Sequence, residues 1–187
     1  MDARPTTRAQ TILDGFGIPN RAEDKMRTLI AGLCCAVLAA QTAPDAADKL
    51  IVDGDVATPL TLTTADLAKM PRETATLADM DGSKVAYEGV ALTEILKKAG
   101  IAFGKEMRGK ALAGYVLAEA RDGYQVVFSL GELDPGVVGT RVIVADQRDG
   151  KPLSAQQGPI RLVVTSDKRP ARSVRMVERL HVVQLRK

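Results

Sequence analysis

The chain has 187 residues, of which 45% are hydrophobic, and a formal net charge of +3, which suits one globular domain with additions at its ends. The charge is uneven, because residues 161–187 carry eight cations against two acids, whereas residues 41–160 carry thirteen cations against seventeen acids. A basic field over a whole domain, as nucleic-acid binding requires, is therefore absent, and the sequence predicts no nucleic-acid partner.

An uncharged stretch of thirteen residues, Thr28–Ala40, follows two basic residues near the N-terminus. It is shorter than the roughly 20 apolar residues that a membrane span needs, but it matches the apolar core of a signal peptide that ends in small residues. Residues 1–40 are therefore predicted to be an N-terminal extension and signal peptide, residues 41–48 a linker, and residues 49–187 the folded domain. This places the protein in the periplasm or outside the cell; a buried core helix and an uncleaved membrane tether are the alternatives.

The first half of the mature chain is predicted to alternate hairpins and short helices. Residues 50–63 contain two apolar strands around a glycine-centred turn, followed by a short helix that Thr63 or Thr64 caps. The Asp-Gly pair at 81–82 is a strong signal for the turn of a second hairpin. Apolar residues after it recur at helical spacing, and Gly100 is expected to end that helix.

The second half continues the pattern with two more Asp-Gly turns. The pair at 122–123 joins the strands of a further hairpin, and the pair at 149–150 follows another strand. The run "PIRLVVTS" is typical of a buried strand, residues 173–177 are expected to form one helical turn, and a strand through His181 closes the chain. Hairpins dominate, so the predicted fold class is α+β, with mixed, largely antiparallel sheets and short helices.

Residues that commonly bind metals or carry catalysis are scarce. Both cysteines, Cys34 and Cys35, lie inside the predicted signal peptide, so the mature domain is predicted to have no disulfide and no thiolate. The single histidine, His181, lies on a predicted strand and has no partners of the kind that a zinc site or a Ser-His-Asp triad requires. No catalytic residue and no metal ligand is therefore assigned.

Four aspartates stand at or beside the Asp-Gly turns. A carboxylate in that position usually accepts hydrogen bonds from backbone N–H groups of the turn. A general acid–base pair would require two of them to converge in space, which sequence spacing does not show. These aspartates are therefore assigned to their turns: Asp79, Asp81, Asp122 and Asp149.

The most distinctive feature is a basic stretch near the C-terminus, "SDKRPARSVRMVERL". Pro170 interrupts it, so its cations do not share one long helix. Lys168 and Arg169 are expected in a loop, and Arg172 and Arg175, three residues apart, on one side of a helical turn. Guanidinium groups and a helix N-terminus both suit a phosphate; the alternative is a solvated basic loop.

Three segments carry a resemblance to a known family: "YEGVALTEILKKAGI", "DGYQVVFSLGELDP" and "GKPLSAQQGPIRLVVTSDKRPARSVRMVERLHVV". Together they resemble the oxidoreductase molybdopterin-binding domain, the fold of sulfite oxidase and of the periplasmic methionine-sulfoxide reductase catalytic subunit, over residues 49–183. The most specific parts are the Gly-Pro-x-Arg-Leu strand with the basic loop after it, and the aromatic-x-Gly-Val-x-Leu segment.

The resemblance implies a ligand as well as a fold. In that family, basic residues after the Gly-Pro-x-Arg strand hold a molybdenum-bearing pterin by its phosphate. The cofactor-binding candidates that this implies here are Arg161, Lys168, Arg169, Arg172 and Arg175. The family also ligates the metal through a cysteine placed before the aromatic-x-Gly segment, where this chain has "ETATLADMDGSKVAYEG" and no cysteine.

This departure favours an exported, non-catalytic binding or accessory module with a basic site for a pterin phosphate or another small anion. Two alternatives stay open. One is a sulfite-oxidase-like oxidoreductase subunit that binds molybdopterin without a cysteine ligand, and the other is a binder of generic anionic ligands. The partners implied are a pterin or another small anion, and a redox or membrane-complex protein.

Overall fold

A computed structural model describes residues 48–79 and 82–185 of the chain. Over these residues the backbone forms ten β-strands and three short α-helices. The strands are β1 (Lys49–Gly54), β2 (Leu60–Thr63), β3 (Glu73–Ala78), β4 (Lys84–Ala91), β5 (Gly114–Ala120), β6 (Gln125–Ser129), β7 (Val142–Arg148), β8 (Lys151–Pro152), β9 (Arg161–Val164) and β10 (Val177–Gln184). The α-helices are α1 (Thr64–Leu67), α2 (Leu92–Lys98) and α3 (Leu130–Leu133), and 3-10 turns lie at Gly104–Glu106, Gly109–Ala113 and Pro170–Arg172.

One five-stranded sheet has the order β2-β1-β10-β5-β6. Neighbouring strands in it are antiparallel except for β1 and β10, which run parallel with Ile51 opposite Arg179. Buried and more exposed residues alternate along its strands, so one face of the sheet supplies the core. The parallel pair brings the first and last described strands together in the middle of this sheet.

The second sheet has the order β3-β4-β7-β8, and β9 also pairs with β7. All of its pairings are antiparallel. The register of β4 against β7 shifts between Glu88 and Gly89, as in a β-bulge, and the backbone of β7 approaches Gly89 closely there. β9 is buried at every position, as its apolar run predicts.

Side chains from both sheets and from α2 form the main core. α2 contributes Leu92, Ile95 and Leu96, which recur at helical spacing on its buried face, and Gly100 follows the helix with a φ of 93°. α1 and α3 each begin with a capping box, in which a threonine or serine and an acidic residue three positions later bond each other's backbone. The predicted helix after Thr63 and the predicted stop at Gly100 are thus confirmed.

The prediction of a helical turn over residues 173–177 is wrong. The turn lies earlier, over Pro170–Arg172, where proline occupies a position that needs no N–H donor. Residues 173–177 run beside β9 instead, and the Leu162 N–H donates to the Val174 carbonyl at 2.7 Å. Because buried backbone groups of β9 need partners, this segment pairs with the strand rather than with itself.

The predicted fold class is confirmed by the short helices and the mixed, largely antiparallel sheets. The Asp-Gly pairs at 122–123 and 149–150 lie between β5 and β6 and between β7 and β8, as predicted. The predicted signal peptide and almost all of the linker lie outside the described residues. Within the part of the chain that the structure describes, no helix is both long and apolar enough to cross a membrane.

Candidate functional site

Arg161, the first residue of β9, is a buried cation. Only 5% of its surface is exposed, and its guanidinium carbon lies 4.6 Å from the centre of the Tyr87 ring. Nη1 donates to the Tyr87 hydroxyl at 2.9 Å, and longer contacts of 3.5 Å reach Gln157 Oε1 and the Ser173 carbonyl. Among the described residues, Nε has no acceptor, and no carboxylate forms an ion pair with this guanidinium.

The charges near Arg161 leave its own charge uncompensated. Burial is the largest effect and lowers the pKa of the Arg161 guanidinium; Tyr87 opposes it, Arg175 and Arg148 lower the pKa further, and Asp79 raises it again. Arg148 is itself paired with Asp79 at 2.7 Å and with Asp149 at 3.6 Å, whereas Arg161 and Arg175 have no carboxylate partner among the described residues. A buried charge is costly unless a counter-charge or hydrogen bonds compensate it.

Arg161 also lines a cavity of about 130 Å³. The β3–β4 hairpin contributes Leu77, Ala78, Asp79, Val85 and Tyr87 to its wall. The rest of the wall is formed by Gln157, Arg161, Pro170 and Arg175. Two guanidinium groups, an amide, a phenolic hydroxyl and the Asp79 carboxylate therefore surround one small volume. All of these groups except the carboxylate are donors of the kind that bind oxyanions.

The structure brings together two of the five predicted cofactor-binding residues. Arg161 and Arg175 line the same cavity. Lys168 and Arg169 are exposed in the loop between β9 and Pro170, and neither residue lines the cavity. Arg172 is absent from the cavity wall as well, because its guanidinium has other partners.

Arg172 belongs to an ion-pair network. Its Nε and Nη2 donate to the two carboxylate oxygens of Asp167 at 2.8 and 2.7 Å, and Nη1 donates to Glu132 Oε1 at 3.1 Å. The guanidinium carbon also lies 5.0 Å from the centre of the Phe128 ring. The hydrogen bond between Arg172 and Asp167 is the largest cause that raises the pKa of Arg172 and lowers that of Asp167. With two carboxylates around one cation, this group offers little positive charge to an anion.

Replacing Arg172 with alanine should therefore lower the free energy of unfolding by about 1–3 kcal/mol, since two partly buried carboxylates lose their cation. Arg141→Ala is the matched control, because Arg141 pairs with Glu73 where both side chains are more exposed, and such pairs contribute about 0–1 kcal/mol. Urea unfolding at neutral pH measures both variants. A loss no larger than that of the control would contradict a structural role for the network.

The same comparison should depend on pH in a defined direction. The pKa of Asp167 is depressed in the folded state below its ordinary value of 3.8. Its contribution to stability is therefore present above that ordinary value and is lost as the pH falls through the folded-state pKa. The difference between Arg172→Ala and the parent protein should shrink in the same acidic range.

A second cavity of about 340 Å³ adjoins the first. Pro170 and Arg175 line both cavities, which therefore meet at these two residues. Tyr124 also lines the larger cavity, and its hydroxyl donates to the Ala171 carbonyl at 2.9 Å. Met176, which lines the larger cavity, has a φ of 49°, a left-handed conformation that long side chains rarely adopt. Strained backbone of this kind is often found beside binding sites.

Sequence reasoning missed Tyr87 and Gln157 as parts of the site. The signal that could have found them is their position beside the two most specific motifs. Tyr87 is the aromatic residue two positions before Gly89, and Gln157 directly precedes Gly158 of the Gly-Pro-x-Arg strand. Both motifs therefore converge on Arg161 in the folded domain.

The hydrogen bonds of the aspartates at the Asp-Gly turns lie only partly within those turns. Asp122 accepts a backbone N–H two residues further on, as predicted. Asp149 also accepts a backbone N–H from β4 at 3.0 Å, and Asp79 accepts from Arg148 at 2.7 Å, so these two hold neighbouring elements together. The fourth, Asp81, lies outside the described residues.

His181 lies on β10, where its side chain meets an aspartate of the neighbouring strand. Its Nδ1 is 2.7 Å from Asp53 Oδ1, and the same carboxylate pairs with Arg179 at 2.6 Å. In the described part of the chain, no group of three or more His, Cys, Asp or Glu side chains is arranged to hold a metal ion.

The fold and the motifs agree with comparisons to known proteins. A family model described as "Oxidoreductase molybdopterin binding domain" matches residues 39–187, so the chain belongs to that family. Among solved structures, the chain is similar to the sulfane dehydrogenase SoxCD from Paracoccus pantotrophus, with a TM-score of 0.55 and 23% sequence identity. This similarity concerns the fold, covers 72% of this chain and spans 37% of that one. No curated protein gives a match.

The residues of this chain suit the phosphate of the family's cofactor but not its metal. The donors around Arg161 suit a phosphate. A thiolate for the metal is missing, because both cysteines, Cys34 and Cys35, precede the family match. The segment in which the resemblance implies a ligating cysteine forms the β3–β4 hairpin, whose apolar side chains line the cavity instead. The chain therefore lacks the protein ligand that would hold and tune a molybdenum centre.

Proposed function

We propose that this chain is an exported, non-catalytic binding module of the molybdopterin-binding-domain family that holds a phosphate or another small oxyanion beside Arg161. The observation that carries the proposal is the buried Arg161 guanidinium, which lacks a carboxylate partner among the described residues and lines a cavity with Arg175. An unpaired buried charge costs several kcal/mol. An anion in the cavity would supply both the counter-charge and an acceptor for Nε.

A non-catalytic role is supported by the side chains around the anion. Among the described residues, the cavity wall contains guanidinium groups, an amide, a hydroxyl and the Asp79 carboxylate, but no thiol and no histidine. The donors among these groups bind and orient an anion, and none of the groups is a cysteine nucleophile or a metal ligand of the kind that the family pattern implies. The favoured activity is therefore binding, in support of a partner protein of the cell envelope.

Substituting methionine for Arg161 tests the anion site. Phosphate should stabilise the parent protein by about 2.7 kcal/mol at roughly 100 times its Kd, and the variant should not respond. Without phosphate, Arg161→Met should be as stable as the parent protein or more stable, since replacing a poorly paired buried charge with an apolar residue of similar length is often neutral or favourable.

Thermal and urea unfolding, with and without phosphate at constant ionic strength, measure both effects. Lys168→Met is the matched control, because it removes an exposed cation from the loop that follows β9 without touching the cavity wall. The control should keep the phosphate response. A parent protein that does not respond to phosphate, together with a marked loss of stability in Arg161→Met, would show that Arg161 is purely structural.

Export rests on the apolar stretch Thr28–Ala40 and its basic flank. Protein purified from its native host should begin close to the end of that stretch when its N-terminus is sequenced. An intact Met1 or Met26 on protein recovered from the cytoplasm would contradict this part of the proposal.

A further inference from the structure

We infer that the loop of residues 135–139, the tip, docks on the surface of an anionic lipid membrane. The inference goes beyond the proposed function, because none of these residues lines the Arg161 cavity and its test is independent of the anion site. Three features support it: two exposed valines, a backbone whose N–H groups are already bonded, and a basic segment attached to the same turn.

The tip holds two neighbouring apolar side chains in solvent. Val137 is 52% exposed and Val138 is 67% exposed, and Val138 is the most exposed large apolar side chain among the described residues. All residues of the tip are exposed, and none of them is charged. A single exposed apolar residue is ordinary, whereas an adjacent pair on an uncharged loop gains free energy when an apolar partner covers it.

The backbone of the tip is suited to an environment without water. The Asp134 carbonyl accepts the N–H groups of residues 137, 138 and 139 at 3.0, 3.1 and 2.9 Å. The Asp134 side chain accepts the Gly136 N–H at 2.6 Å, and Pro135, the first residue of the tip, has no N–H. An unpaired donor is costly in an apolar medium. Because every N–H of the tip is bonded within the loop, the tip can leave water without losing a partner for any of these donors.

A basic segment is attached to the tip. Residues 104–110 carry three exposed cations against one acid. The cations are Lys105, Arg108 and Lys110. The Gly104 N–H donates to Asp134 Oδ2, which joins this segment to the residue that folds the tip. Membrane surfaces bind proteins through buried apolar area together with the attraction of cations to anionic headgroups. The charge therefore favours an anionic membrane over an uncharged apolar groove on another protein.

The chain contains no tryptophan, so an introduced tryptophan reports on one position. In the full chain, the emission of Val138→Trp should shift to shorter wavelength on addition of vesicles with equal parts of phosphatidylcholine and phosphatidylglycerol. Brominated lipid in these vesicles should quench it. Because the signal is local, binding through another part of the chain does not imitate it.

Ile51→Trp is the matched control, because Ile51 is also an exposed apolar residue, at 43%. The strand register places it in one row with Gln125, at the end of β6 away from α3 and the tip. The control should not respond to the vesicles. An unchanged Val138→Trp emission would assign the tip to a protein partner or to solvent and would overturn the inference, as would an equal response of the control.

The role of charge is tested with Lys105→Gln, which should weaken the binding of the Val138→Trp protein to the mixed vesicles about fivefold. Lys84→Gln is its control and should change binding by less than about twofold. Lys84 is an exposed lysine at the other end of β4 from Ala91, roughly 20 Å away, and Ala91 lines a cavity together with Gly139 of the tip. Binding to the mixed vesicles should fall as salt is raised. Equal binding to vesicles of pure phosphatidylcholine, or equal losses in the two lysine variants, would overturn the inference.

Discussion

Alanine at Gly89 should destabilise the domain by about 3 kcal/mol or more, because the substitution forces a methyl group into the backbone of a neighbouring strand. A Cβ at this position would lie 2.1 Å from the Val144 carbonyl oxygen and 2.5 Å from the Ala145 Cα. Both atoms belong to β7, which is paired with β9 on its other edge. β7 therefore cannot retreat without losing hydrogen bonds on one side or the other.

Urea unfolding followed by circular dichroism measures this loss, and Gly123→Ala is its control. Gly123 has a φ of 85°, but a Cβ there would meet no atom within 4 Å. Alanine there should destabilise the domain only through the strain of its left-handed conformation, by about 1–2 kcal/mol. If Gly89→Ala cost no more than this control, β7 would have to be more mobile than its two pairings indicate.

The close approach at Gly89 explains why the aromatic-x-Gly segment has a glycine. Tyr87 turns its hydroxyl to Arg161, and two residues later the same strand passes β7 where no side chain fits. The motif thus links a site residue to the backbone geometry that positions it. A resemblance to a family can identify such a segment, whereas the reason for its glycine appears only in the pairing of β4 with β7.

Local features of the fold could be predicted because their causes lie within a few residues. The Asp-Gly pairs turn the chain between neighbouring strands, and Gly100 adopts the positive φ that ends α2. The parallel pairing of β1 with β10 has no such local cause, since its strands lie at the two ends of the domain. The prediction of a helical turn over residues 173–177 fails because its cause is also not local. These residues follow the hydrogen-bonding needs of β9 rather than their own propensity.

The candidate site could be predicted only in part, because the contacts that divide the basic residues are long-range. Arg161 meets Tyr87 across 74 positions of the chain, and Arg172 meets Glu132 across 40. In the sequence, Arg172 and Arg175 are equivalent cations three residues apart. In the fold, two carboxylates surround Arg172, while Arg175 lines the cavity. Charge alone therefore indicates the right segment but not which of its residues line the cavity.

Asp134→Ala should lower the free energy of unfolding by about 3 kcal/mol or more, since hydrogen bonds to a charged acceptor each contribute about 1.5–3 kcal/mol. The Asp134 side chain is completely buried. Its Oδ1 accepts the Gly136 N–H at 2.6 Å, and its Oδ2 accepts the Gly104 N–H from a loop thirty positions earlier. The substitution removes both acceptors and leaves a void after α3, so the two loops lose the group that joins them.

Asp122→Ala is the control for this prediction, because Asp122 makes the same type of local bond on the surface. Its carboxylate accepts the Tyr124 N–H at 3.0 Å in an exposed turn. Water can replace that acceptor, so the control should lose less than about 1 kcal/mol. The loss of stability in Asp134→Asn should lie between the losses in Asp134→Ala and Asp122→Ala, because the amide keeps one acceptor and turns a donor toward the other N–H. If all three variants unfolded at the same urea concentration, the buried carboxylate would have no special role, and the loops at Gly104 and Gly136 would be held by their own turns.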